Sequence, residues 1–156
     1  MAKRTVSKQR KGKPPPTCKA MLLCDQPIVD ANTGKLSLIG IFEQFIMPQF
    51  PGVTSPFTAF MQFTDGIGDY SITIEVHDLR ENKVIARTPG GTVKFLERTT
   101  KANMIVYAAP LPIPHSGAYD FVVFADGDLV EHQQFLAVTR SEQQNASDPA
   151  GEPDSQ

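Results

Sequence analysis

The stretch DYSITIEVHDL, residues 69–79, constrains the fold more than any other part of the chain. Apolar and polar side chains alternate along it, with Tyr70, Ile72, Ile74 and Val76 at one parity and Ser71, Thr73, Glu75 and His77 at the other. A period of two puts one set on a buried face of a β-strand and the other on its solvent face. The stretch therefore predicts a half-buried strand of an antiparallel sheet.

Further apolar runs follow along residues 20–139, separated by turn residues: AMLLC, LSLIGIFEQFIM, FTAFMQFT, KVIART, TVKFL, NMIVYAA, AYDFVVFA and LVEHQQFLAV. Asn82 suits a tight turn before KVIART, because asparagine tolerates the left-handed conformation. Pro89-Gly90-Gly91 leaves two interpretations of TVKFL, a separate strand or the far side of a bulge. No segment has a helical period, so we predict an all-β domain of about eight strands.

The segment PLPIPHSGAYDF favours an antiparallel two-sheet sandwich of the immunoglobulin or fibronectin-III type over a closed barrel. A proline-rich connection, a glycine and a tyrosine that opens a strand resemble the corner at which those domains cross between sheets. Tyr119 is therefore predicted to donate its hydroxyl hydrogen bond back to the preceding connection. The absence of a Cys-Trp-Cys pattern excludes an antibody-type domain.

Charge is distributed unevenly between the ends of the chain and its body. Residues 1–19 contain seven of the fifteen basic residues and none of the seventeen acidic ones. Residues 141–156 are polar and interrupted by proline. We therefore predict a disordered basic arm over residues 1–19, a β-sandwich over residues 20–139 and a disordered acidic tail over residues 140–156.

The basic arm is a candidate contact for anions or nucleic acid, through Lys3, Arg4, Lys8, Arg10, Lys11 and Lys13. Cations of this density attract phosphates by counterion release, and the arm has no aromatic residues that would stack on bases. The alternative is a solubilising tail that folds back on its own acidic body.

The loop FIMPQFPGVTSPF, residues 45–57, is a candidate protein-contact surface formed by Phe45, Met47, Phe50, Pro51 and Phe57. Prolines stiffen it, so its aromatic side chains would form a rigid apolar surface. In the alternative interpretation, Phe45 and Phe57 are strand residues and Phe50 covers the open end of the core.

Catalytic and metal-binding residues are sparse. Hydrolytic sites need a nucleophile beside an oriented histidine, and His115 has only Ser116 as its neighbour, without a glycine-flanked serine or an oxyanion-hole motif. Glu75 and His77 share the solvent face of one strand, where a third ligand would have to come from elsewhere. A metal-dependent or hydrolytic enzyme that uses His77 or His132 is therefore an alternative. The glycine segments lack the phosphate-loop pattern, and we expect no cofactor.

The segment FVVFADGDLVEHQQF, residues 121–135, predicts a hairpin rather than a cluster of ligands. Asp-Gly favours a type I′ turn, in which both central residues have positive φ. With the turn at 126–127, Ala125 faces Asp128, Val123 faces Val130 and Phe121 faces His132. His132 is then expected at the partly buried edge of the core.

Two observations bear on the compartment. No apolar run approaches the roughly 18 residues that a membrane helix needs, and residues 20–24 are too short for a signal-peptide core. Cys18 and Cys24 match neither the spacing of a redox motif nor that of a zinc knuckle. We expect a cytoplasmic protein with reduced thiols and no membrane contact.

Two stretches together resemble a bacterial domain-of-unknown-function family of small cytosolic β-sandwich proteins: LLCDQPIVDANTGKLSLIGIFEQFIMPQFP and GAYDFVVFADGDLV. The resemblance spans residues 21–138. It implies the sandwich fold and no chemistry. We expect a non-enzymatic binding or assembly module with a protein partner or a second copy of itself, and the alternative is a protein tethered to nucleic acid by its basic arm.

Overall fold

The computed structural model describes residues 13–147. Its elements are β1 (Thr17–Val29), β2 (Leu36–Phe42), β3 (Gln44–Met47), β4 (Gly52–Val53), β5 (Phe57–Thr64), β6 (Gly68–Asp78), β7 (Lys83–Phe95), β8 (Ala102–Ala108), β9 (Pro112–Ile113), β10 (Gly117–Ala125), β11 (Asp128–Thr139) and α1 (Arg140–Ser147). The all-β prediction is thus confirmed at the level of strand content. More strands form than expected, because Glu43 separates β2 from β3 and two short strands lie in connections.

The strands form a four-stranded sheet in the order β2-β1-β5-β8, a five-stranded sheet in the order β3-β11-β10-β6-β7, and the short pair β4-β9. The pairs are antiparallel except β3 and β11, which run parallel. The chain passes from one large sheet to the other between β2 and β3. Residues 36–47 therefore connect the two large sheets along one side of the molecule.

The core draws on both large sheets. Phe57 from the four-stranded sheet makes edge-to-face contacts with Phe45 and Phe121, and Phe45 makes one with Phe135. The centroid separations of 5.1 to 6.2 Å lie in the range preferred by aromatic pairs. Truncating one such buried ring to alanine typically costs about 3–5 kcal/mol.

Strand β7 resolves the open question about TVKFL. KVIART and TVKFL belong to one strand, and its register against β6 shifts where Ile72 pairs with Gly91 while Thr73 pairs with Pro89. Gly90 is the extra residue of this bulge. A Cβ on Gly90 would lie 2.9 Å from the Ile72 side chain, so the close approach favours glycine there.

The hairpin formed by β10 and β11 confirms the turn and corrects its register. Asp126 and Gly127 both have positive φ, and Ala125 pairs with Asp128. The predicted pairing of Val123 with Val130 is wrong, because Val130 is the extra residue of a bulge and Val123 pairs with Glu131.

The bulge also moves the histidine of this hairpin. His132 pairs with Val122 instead of Phe121, and it is exposed instead of lying at the core edge. Because the inserted residue changes the parity of β11, Phe135 and Ala137 become the buried positions.

The structure differs from the predicted domain boundaries at both ends. Strand β1 begins at Thr17, inside the predicted arm, and Thr17 pairs with Thr64. Helix α1 occupies the start of the predicted tail, and Thr139 and Glu142 form a reciprocal capping box at its N-terminus. The remaining parts of the predicted arm and tail, residues 1–12 and 148–156, lie outside the described residues.

Candidate functional site

The four-stranded sheet has two apolar faces. Met21, Leu23, Ala59, Met61 and Met104 belong to the core that the two large sheets share. Successive side chains of a strand point to opposite faces, so the residues between these lie on the outer face. Their cross-strand pairing makes the outer face a continuous surface.

The outer face consists mainly of rows of paired residues that contain no charged side chain. Lys19, the unpaired extra residue of a bulge in β1, borders the row of Ala20, and Glu43 directly follows β2. One row crosses all four strands and contains Ile41, Cys24, Thr58 and Tyr107. The next rows contain Leu22, Phe60 and Ile105, then Ala20, Gln62 and Asn103, and at the other end Gln26 with Ile39 and Ile28 with Ser37. We call these residues the uncharged face.

The nearest acid of β1 does not belong to this face. Asp25 points to the opposite side, where it lines a cavity of about 270 Å³ together with Phe42 and Phe45. Among the polar members of the face, Gln62 donates a hydrogen bond to Asn103 at 3.0 Å. The polar groups are therefore neutral amides and hydroxyls.

The centre of the uncharged face is buried, while its margins are exposed. Cys24 is inaccessible to solvent, whereas Ile41 is 54% exposed and Tyr107 is 75% exposed. Burial raises the pKa of the Cys24 thiol and, in the core, that of Cys18 to about 11. Both cysteines are free, and both are weak nucleophiles at neutral pH.

The outer face of the five-stranded sheet has the opposite character. Its central row runs from His132 through Val122 and Glu75 to Arg87. Antiparallel sheets commonly bury one face and expose a polar one, and this sheet follows that rule. The uncharged face departs from the rule within the same molecule.

Glu75 and His77 share the outer face of β6, as predicted, but Glu75 is buried rather than exposed to solvent. His77 Nε2 lies 2.6 Å from Glu75 Oε2, and Arg87 Nε donates to Glu75 Oε1 at 2.8 Å. The His77 hydrogen bond, with help from Arg87, lowers the pKa of Glu75. The carboxylate is thus held by two side chains of its own sheet.

His132 lies on the same sheet, where its Nδ1 is 3.5 Å from Asp120 Oδ2. Within residues 13–147, no group of three or more His, Cys, Asp or Glu side chains is arranged to hold a metal ion. The enzymatic alternative that uses His77 or His132 stays a prediction.

His115 has surroundings that the sequence did not indicate. Its Nε2 lies 2.6 Å from Oδ2 of Asp78, whose side chain is fully buried, and its Nδ1 lies 2.7 Å from the Ser116 carbonyl oxygen. Asp78 Oδ1 also accepts the backbone N–H groups of Arg80 and Glu81. These hydrogen bonds outweigh desolvation, so the pKa of Asp78 is lowered.

The hydrogen bond predicted for the Tyr119 hydroxyl is present next to this pair. The Tyr119 hydroxyl donates to the His115 carbonyl oxygen at 2.6 Å and accepts the His115 N–H at 3.4 Å. The Asp78–His115 contact in turn joins the end of β6 to the connection that precedes β10. Its donors and acceptors are satisfied within the chain, which indicates a structural role.

The predicted basic contact falls largely outside the described residues, which include only Lys13 of its six cations. Lys13 Nζ lies 3.8 Å from the Tyr70 ring centroid and 3.8 Å from Asp126 Oδ2, and it donates to the Asp69 carbonyl oxygen. This cation folds back on the acidic body. Nucleic-acid contact through Lys3, Arg4, Lys8, Arg10 and Lys11 stays a prediction.

The predicted contact loop is mostly core. Phe45, Met47 and Phe57 are buried, and Phe50 packs partly against the core. Pro51 remains exposed. An exposed surface formed by all five residues is therefore corrected to the alternative, in which the aromatic rings close the core.

A cleft of about 370 Å³ opens between β7 and β8. Its walls include Ile74, Val76 and Phe121, and Arg87 lines it while bound to Glu75. No helix in the described part of the chain is long and apolar enough to cross a membrane.

One sequence pattern indicates the uncharged face. FTAFMQFT has apolar residues at both parities, which is typical of a strand covered on both sides. In the structure, both faces of β5 are correspondingly buried. Cross-strand pairing was needed to show that Ile41 and Tyr107 extend the same surface.

Comparison with known proteins gives a family and no activity. The model of a family of unknown function, DUF6941, matches residues 19–138, which covers the large strands except the first two residues of β1 and the last residue of β11. No curated protein matches the chain. The matched region contains both the uncharged face and the Tyr119 hydrogen bond, and the chain belongs to the DUF6941 family.

Proposed function

We propose that the protein is a non-enzymatic binding or assembly module that uses the uncharged face to contact another protein. The row Ile41, Cys24, Thr58 and Tyr107 carries the proposal, because it crosses a whole sheet without a charged residue. Contiguous apolar patches on soluble proteins commonly mark interaction sites.

The energetic argument rests on the exposed margins of the face. Ile39, Ile41 and Tyr107 keep half or more of their surface in water. Fully burying an exposed side chain of this size gains about 1.5–3 kcal/mol, and roughly half of that gain remains available at Ile39 and at Ile41. The central residues add shape without further desolvation, since they are already shielded.

We also propose an immunoglobulin-like sandwich in a reducing, cytoplasmic setting for this family. The order β11-β10-β6-β7 agrees with the G-F-C-C′ order of a variable-type immunoglobulin sheet, and β1-β5-β8 supplies an opposing sheet with β2 added at its edge. Tyr119 supports the same assignment. The free thiols of Cys18 and Cys24 are compatible with a reducing compartment, and a bacterial source is proposed from the resemblance alone.

The test is affinity purification of tagged full-length protein from its native host, with Ile41→Glu and Leu129→Glu compared in parallel. Leu129 is a matched control, because it is 58% exposed and lies on the β10–β11 hairpin, away from the uncharged face. We expect a reproducible protein partner that Ile41→Glu loses and Leu129→Glu retains. A set of partners that is unchanged by Ile41→Glu would contradict the proposal.

A further inference from the structure

We infer that the partner of the uncharged face is the same face of a second copy of this chain, related by a two-fold axis. This inference rests on the proposed function, since it names the occupant of the same surface. Three observations favour a second copy: the charge of the face, the arrangement of its exposed side chains and its extent.

Charge is the first observation. In a two-fold interface the same surface of both copies is in contact, so a charged residue near the axis lies close to the identical residue of the second copy and repels it. The rows of the uncharged face contain none, and they satisfy this condition. The outer face of the five-stranded sheet does not, since Glu75 and Asp120 would approach the same residues of the second copy.

The net charge of the body points the same way. All seventeen acidic residues lie outside residues 1–19, together with eight of the fifteen basic ones. Two copies of the body therefore repel each other over most of their surfaces. The paired rows of the uncharged face add no like-charge pair when two copies approach through them.

The positions of the exposed side chains suggest how the copies align. Ile41 and Tyr107 lie at opposite ends of one row, on the edge strands β2 and β8. A two-fold axis parallel to the strands reverses the row, so Tyr107 of each copy covers Ile41 of the other. This alignment keeps the strands of the two stacked sheets nearly parallel, which is a common arrangement for packed sheets.

The extent of the face is sufficient for a small dimer interface. Strands about 4.8 Å apart with outward residues every 6.6 Å or so give the paired rows an area of roughly 450 Å² per copy. Two copies then bury roughly 900 Å², which is the size of a weak, transient contact. We therefore expect a weak dimer, with a dissociation constant between roughly 1 μM and 1 mM.

The first experiment measures the oligomeric state of the full-length chain by sedimentation equilibrium, with Ile41→Glu, Tyr107→Lys and Leu129→Glu. We expect a dimer for the unmodified protein and for Leu129→Glu. For the two face variants we expect a dissociation constant at least about 100-fold higher. Circular dichroism and thermal unfolding verify that each variant is folded. Of the two face substitutions, Tyr107→Lys perturbs the fold less, because most of the Tyr107 surface is already in water.

The second experiment tests the alignment by mixing. In the reversed row, Ile41→Glu of one copy faces Tyr107→Lys of the other, so the mixture regains a dimer that neither variant forms alone. Native mass spectrometry identifies the heterodimer by its mass. Failure of the mixture to dimerise would overturn the reversed alignment.

Two outcomes separate this inference from the proposed function. An unmodified protein that stays monomeric to about 1 mM overturns the second copy as occupant. The proposed function then depends only on whether Ile41→Glu loses a different partner in the affinity purification. A dimer that Ile41→Glu and Tyr107→Lys leave intact overturns the inference, because the copies then associate through another surface.

Discussion

The pair formed by Asp78 and His115 gives the sharpest stability prediction. Asp78 is fully buried and holds three partners, the His115 imidazole at 2.6 Å and the N–H groups of Arg80 and Glu81 at 3.0 and 3.1 Å. Asp78→Ala removes all three acceptor contacts and leaves His115 facing a cavity. We expect a loss of about 3–5 kcal/mol, the cost of breaking a buried pair from one side.

Asp78→Asn separates the two roles of this carboxylate. The asparagine keeps Oδ1 for the turn amides, and its amide nitrogen replaces the oxygen that faces His115. We therefore expect a smaller loss of about 1–2 kcal/mol. A double-mutant cycle of Asp78→Ala with His115→Gln is expected to give a coupling energy of about 1.5–3 kcal/mol.

Equilibrium unfolding in urea measures these values. The chain has no tryptophan, so far-ultraviolet circular dichroism is the appropriate signal. Linear extrapolation gives the free energy of unfolding, with the slope as a check on two-state behaviour. A loss below about 1 kcal/mol for Asp78→Ala, or additive effects in the cycle, would refute the view that this pair fastens the corner to β6.

Two further predictions concern the same region and the outer face of β6. The pKa values of Asp78 and Glu75 are lowered in the folded state, so the stabilisation that these carboxylates provide is fully present above about pH 5 and is lost as the pH falls through their folded-state pKa values. Urea unfolding at pH 7, 5, 4 and 3 measures this loss. Asp78→Asn is expected to make the free energy of unfolding depend less on pH between pH 5 and 3. Tyr119→Phe is expected to cost about 1–3 kcal/mol by leaving the His115 carbonyl and N–H without their partner, and an unchanged urea midpoint would contradict this.

The sequence predicted those parts of the fold that depend on local pattern. Alternation in β6 placed Tyr70, Ile72 and Ile74 in the core correctly, because a period of two is fixed by backbone geometry. The Asp126-Gly127 turn was equally local. The Tyr119 hydrogen bond followed from a corner motif whose partners are four residues apart.

The parts that failed depend on contacts between distant segments. The bulge at Val130 allows Phe135 to reach the core. Apolar residues at both parities past Gln134 indicate a bulge or a strand covered on both sides, but not where a bulge would lie. Asp78 and His115 are 37 positions apart, so neither predicts the other. The helix after β11 did carry a local signal, the capping box of Thr139 and Glu142, but it is too short to show a period.

The candidate surface was predictable only in part. FTAFMQFT indicates a strand covered on both sides, but it does not say which strands continue the surface. The contact loop failed for the converse reason: the aromatic rings of Phe45 and Phe57 fill the core, and exposure cannot be read from an apolar side chain alone.

The parallel pairing of β3 with β11 has a consequence for biosynthesis. Strand β3 emerges early from the ribosome, whereas its partner β11 is the last of the described strands to emerge. Gln44 of β3 pairs with Leu136 of β11. Residues 36–47 are therefore synthesised long before β11, and β3 cannot pair with β11 until translation is nearly complete. We expect nascent chains that end before residue 128 to leave β3 unpaired and the core residues beside it exposed to water, so that these chains depend on a chaperone.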